Sequence, residues 1–140
     1  MDPISRDPWQ PVLEKMKKLK ESWPSRGWSW DGRLVTIASS FSVEFEAKAR
    51  ASVKLALPTE WVSSTLSTAP QRLRDAVEKT GGLRGGQFLF GGDPVGSIIP
   101  FGLWWPWGDA ETISLRIGLA EVDGQREPFP RLRDVFGVAL

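Results

Sequence analysis

The chain has 140 residues, 41% of them hydrophobic, and a formal net charge of +1 from 18 Lys and Arg against 17 Asp and Glu. That is the size and balance of one globular α+β domain with a real core, and the even charge argues against nucleic acid as a partner. Cysteine, histidine and tyrosine are absent, which removes disulfides, thiolate nucleophiles, Ser-His triads and the usual zinc sites.

Residues 1–8 form a polar, proline-marked lead without the apolar run of a signal peptide. No stretch of about 18 apolar residues follows, so no membrane-spanning helix is expected and a cytoplasmic location is. Trp9, Val12, Leu13, Met16, Leu19 and Trp23 recur at helical spacing. They predict an amphipathic helix packed on a sheet, with Asp7 as N-cap, Pro8 at its first position and Pro24 as its stop. Its outer face carries Lys15, Lys17, Lys18 and Lys20. A turn over 24–32 follows, ending in Asp31-Gly32, with Trp28 and Trp30 on one side. Val35 and Ile37 begin a strand.

The most regular pattern lies between Phe41 and Leu57. Every odd position is apolar, and every even position but Ala56 is polar. Strict alternation predicts one long amphipathic β-segment of an antiparallel sheet. Straight, it would span roughly 60 Å, against a domain radius of gyration of about 14 Å. The segment must therefore bend, turn back or project. A hairpin at Ala38–Ser40 and a bend at Ala47–Ala51 are the expected solution.

A second helix is predicted after Pro58, with Leu66, Leu73, Ala76 and Val77 inward and Gly81-Gly82 as its stop. Phe88–Phe90 reads as a short strand. Residues 91–108, GGDPVGSIIPFGLWWPWG, read as a long apolar loop. Thr112–Val122 alternates again, with Ile113, Leu115, Ile117 and Leu119 on one face, and Asp123-Gly124 closes it in a turn. Phe129, Leu132, Val135 and Phe136 predict a short C-terminal helix or a docked tail. The fold class that results is a curved antiparallel sheet of four to five strands with helices on one face, ordered α-β-β-α-β-β with the terminal helix optional.

No nucleotide-binding, hydrolase or metal-ligand motif is present. The glycine pairs follow a helix instead of opening one, so they read as a cap and turns and not as a phosphate loop. The acid pairs Glu44/Glu46 and Asp109/Glu111 read as solvated charges. The sequence therefore predicts neither enzyme activity nor a cofactor nor a metal. The expected function is protein–protein interaction, as in bacterial immunity or secretion-adaptor proteins. The partner would bind through Ile99, Phe101, Leu103, Trp104, Trp105 and Trp107, because Trp buries a large area with few rotatable bonds. The partner is another protein; neither nucleic acid nor a membrane is expected, and an exposed edge strand could make a homo-oligomer. The alternative is an apolar small-molecule or lipid pocket between sheet and helix, lined by Ala47, Ala49 and Ala51, where small side chains leave room.

Overall fold

A computed structural model describes residues 7–25, 27–120 and 127–138. The first apolar stripe forms α1 (Gln10–Ser22), which buries Leu13, Met16 and Leu19 at threefold spacing. Asp7 is not the cap residue, but its carboxylate accepts from the Trp9 N–H at 3.1 Å, just ahead of the helix. Six strands follow: β1 (Ser29–Asp31), β2 (Thr36–Ser42), β3 (Thr59–Trp61), β4 (Phe88–Gly91), β5 (Pro100–Pro106) and β6 (Thr112–Leu119). Helices α2 (Glu46–Ala56) and α3 (Gln71–Lys79) interrupt them, and α4 (Phe129–Phe136) comes last. The strands form one curled antiparallel sheet in the order β1-β2-β6-β5-β4-β3.

The kind of fold is the predicted one, with six strands instead of four to five. The additional strands β1 and β3 are three residues each, too short for alternation to show. The 1–6 lead and the Asp123-Gly124 turn lie outside the described residues.

Alternation along the strands divides the core in two. Ile37 and Phe41 of β2, Phe90 of β4, Trp104 of β5 and Ile113, Leu115 and Ile117 of β6 face α1, α2 and α4. Leu89, Phe101 and Leu103 face the other way and meet Leu73 and Val77 of α3. Helices therefore lie on both faces, not on one. α3 covers the β4–β5 half of the second face, and among the described residues no helix covers the β2–β6 half.

The predicted strand from Phe41 to Leu57 does not form. β2 ends at Ser42, whose Oγ accepts from the Glu44 N–H at 3.4 Å and opens a 3₁₀ turn over Val43–Phe45. α2 follows at once. Positions 47, 49 and 51 are alanines, which satisfy a strand or a helix period equally, and Lys48 and Arg50 between them, like Glu46 before them, are strong helix formers. A second stripe decides the matter: Ala49, Ser52, Val53 and Ala56 are the buried residues, at helical spacing. Ser52 reads as polar in a pattern, yet it is small and its hydroxyl meets Ser22 Oγ of α1 at 2.7 Å. Ala38–Ser40 accordingly lies inside β2, and the hairpin turn falls at 32–35.

Two contacts seat α2. The Arg50 guanidinium lies 4.5 Å above the Phe88 ring and reaches Glu60 of β3 at 2.6 Å, with Lys54 at 3.4 Å. Burial pushes the Glu60 carboxyl up, but the Arg50 and Lys54 charges more than offset it, so it titrates below its usual range. At its end α2 lowers Leu57 onto the sheet over Gly102, where a Cβ would stand 3.0 Å from the Leu57 methyl.

Candidate interaction surface

The segment 91–108 is not a long loop. Its second half is β5, in the middle of the sheet between β6 and β4. Its apolar character follows from that position, since β5 is covered on both faces. Neighbouring residues on β5 must point to opposite faces, so the six predicted partner-binding residues are not one surface. Ile99, Phe101 and Leu103 are buried with α3. Trp104 is fully buried on the opposite face, 5.3 Å from the Phe41 ring and 5.8 Å from Phe90. Trp105 is half-buried, and Trp107 is 51% exposed.

What holds Trp107 in place is the β5–β6 turn. The Trp107 N–H donates to the Thr112 carbonyl at 2.8 Å. Across the turn, Asp109 Oδ1 accepts from the Glu111 and Thr112 N–H groups, and its Oδ2 accepts from Thr112 Oγ1, each at 2.9 Å. The Glu111 N–H and the other donors stabilise the charged form and hold the Asp109 carboxyl below its usual range. Ala110 adopts φ +60° to complete the turn. Gly108-Asp109 after Pro106-Trp107 is a turn signature, and it is the sequence signal that separates Trp107 from the strand.

Trp105 lies on the α3 side of the sheet, half-buried against the cluster that α3 covers. The Arg116 guanidinium stacks over it at 4.8 Å. Arg116 Nε donates to Asp31 Oδ2 at 3.3 Å and its Nη1 to Ser114 Oγ at 3.0 Å. A shallow groove of about 200 Å³ runs between Trp107 and Arg116 over Ser29, Ala38 and Ser40. The sequence offered no signal for Asp31 and Arg116, which meet from 85 residues apart. It also concealed Val43 and Phe45, 40% and 44% exposed, inside the apparent strand pattern.

Ala47, Ala49 and Ala51 do not share a wall. Ala49 is buried among the α1–α2 contacts, while Ala47 and Ala51 are exposed, because a step of two residues on a helix turns about 200°. A cleft of about 850 Å³ lies elsewhere, between α1 and α4, lined by Trp23, Trp28, Lys17, Lys20 and Asp134. Among the described residues no group of three acidic, His or Cys side chains could hold a metal ion, and no helix is long and apolar enough to cross a membrane. Glu44 lies in the middle of the 3₁₀ turn and Glu46 opens α2, so the strand spacing of that acid pair is lost. No protein-family model, curated protein or solved structure matches the chain.

Proposed function

We propose that the chain is a non-enzymatic protein–protein interaction module, of the kind that small immunity and secretion-adaptor proteins represent. The partner docks at the sheet end that carries Trp107. The observation that supports this reading is a half-exposed indole clamped at the base of a hydrogen-bonded turn, next to the half-buried Trp105. A rigid aromatic on a rigid hairpin offers contact area at low entropic cost. Arg116, which lines the adjoining groove, is held by Asp31 in an ion pair at 3.3 Å. The proposal includes a cytoplasmic location, supported by a cysteine-free core that needs no oxidising compartment. Self-association through a strand edge would have three residues to pair with on either side, so docking on the face is favoured. The apolar-ligand alternative lacks the shared alanine wall it needs.

The test is partner capture from the native host with wild-type and Trp107→Ala protein. The variant should lose about tenfold or more in affinity, as hot-spot tryptophans do, with stability changed by less than about 0.5 kcal/mol. Capture at unchanged affinity would overturn the proposal. Trp104→Ala is no substitute, because it empties the core at a cost of about 3–5 kcal/mol.

A further inference from the structure

We infer that the partner adds an extended segment to the open edge of β2 and turns one large apolar side chain onto the groove beside Trp107; the inference rests on the docking reading above. β6 pairs with β2 from Ile37 to Ser42, but β1 pairs on its other side only from Thr36 to Ala38. The last stretch of β2 therefore has a neighbour on one side alone. The Val43 N–H donates to the Glu111 carbonyl at 2.8 Å, which fixes the phase of the ladder. Backbone groups alternate in direction along an antiparallel strand, so those of Ser39 and Phe41 also point to β6, and those of Ser40 and Ser42 point away from it. Among the described residues nothing hydrogen-bonds to the N–H and C=O groups of Ser40 and Ser42. Gly27 lines the same groove as Ser40, yet no backbone hydrogen bond joins the two. Both serines are exposed, whereas Ser39 and Phe41 are buried.

The register puts this edge and Trp107 on one surface. Ser40 lies opposite Ser114, and Ser114 opposite Trp105; Ser42 lies opposite Thr112, whose carbonyl accepts from the Trp107 N–H. Residues opposed across a ladder turn their side chains to the same face. Ser40, Ser114 and Trp107 accordingly line one groove, of about 200 Å³, the size of one large side chain. A strand added to β2 would lie three spacings from β5, roughly 14 Å, a gap that the indole and one large side chain bridge from opposite ends over a floor of serines. Arg116 in that groove is already paired with Asp31, so an apolar side chain suits it better than a charged one. Sheets blunt bare edges with Pro, Lys, charge or a bulge. β3 on the far side follows Pro58 and has Glu60 held by Arg50 and Lys54. Ser39–Ser42 carries none of these devices. A second copy of the chain would bring only its own Ser40 and Ser42 to the groove and leave Trp107 uncovered, so the occupant is a segment of another protein. Main-chain pairing then supplies affinity and the alternate side chains supply specificity.

The experiment titrates ¹⁵N-labelled protein with a short capped peptide of alternating Thr and Val around a central Phe, and with the same peptide N-methylated on every residue. The first should shift the signals of Ser40, Ser42 and Trp107 and slow hydrogen exchange at the Ser40 and Ser42 amides by about tenfold or more. The N-methylated peptide, which has no N–H to donate, should bind at least about tenfold more weakly. Ser40→Pro should abolish binding and spare the β6 ladder, because the lost N–H points away from it; should that variant fail to fold, the exchange rates of the wild type decide. Shifts at Trp107 with Ser40 and Ser42 exchanging as fast as before overturn strand addition and leave the docking reading standing. Equal binding of both peptides has the same meaning. Binding that maps elsewhere, or no shift with either peptide at millimolar concentration, overturns the inference, and the docking reading is then decided by capture with Trp107→Ala. Ser40 and Ser42 amides that slow with protein concentration alone assign the edge to a second copy and overturn the inference as well.

Discussion

Gly118 sits where β6 passes the ring of Phe101, and a Cβ at this position would stand 2.8 Å from Phe101 Cζ and 3.3 Å from the Thr36 methyl. Phe101 is itself packed against α3, so the ring has little room to retreat. Gly118→Ala should therefore cost about 1–3 kcal/mol by overpacking. Gly85→Ala, with nothing within 4 Å of the added methyl, should be close to neutral. Urea unfolding midpoints at constant m-value distinguish the two. Nothing in the string of letters separates these glycines, because the difference lies in which side chain the register brings opposite. The tryptophans carry the same lesson. Trp104, Trp105 and Trp107 are near neighbours in sequence, yet one is core, one is shielded by a stacked Arg116 and one is exposed. Their fates follow from strand alternation and from the turn that Asp109 ties.

At the level of elements, α2 is where pattern and structure part. In a strand, Ala51→Val would raise stability, since branched side chains suit a pleated surface. On the exposed side of α2 it should lower stability by roughly 0.5 kcal/mol through lost χ1 freedom. Chemical denaturation reads the sign. Elements with large apolar residues at one period were legible. α1 shows Leu13, Met16 and Leu19; β6 shows Ile113, Leu115, Ile117 and Leu119; α3 and α4 show their Leu, Val and Phe positions. α2 was not, because its buried stripe is built of Ala and Ser with a single Val. Small residues carry little pattern, although they are what allows α2 to lie close to α1. β5 was hidden for the opposite reason: buried on both faces, it has no alternation to show. The candidate surface was legible in part, through Trp105 and Trp107, while Asp31 and Arg116 depended on a pairing that only the fold makes.

For the molecule as a whole, Arg131 of α4 is paired with Asp7 ahead of α1, across 124 residues. The guanidinium hydrogen bond, helped by the Trp9 N–H, holds the Asp7 carboxyl below its usual range. A carboxyl with a folded pKa below its unfolded one adds stability above the ordinary Asp range, and that stability is lost as pH falls through the folded value. Asp7→Asn should therefore lower the Tm near neutral pH, and the two Tm curves should converge as the pH falls below the usual carboxylate range. A gap that persists in acid would mean that the link is not electrostatic. The sheet order has a consequence of another kind, in time. β2 ends at Ser42, while β6, its partner in the middle of the sheet, begins at Thr112. At 5–20 residues per second a ribosome needs roughly 4–14 s to cover that interval. Through those seconds the inner edge of β2 has no native neighbour, and the nascent chain must keep a bare strand from pairing with anything else until the Trp107 hairpin has been made.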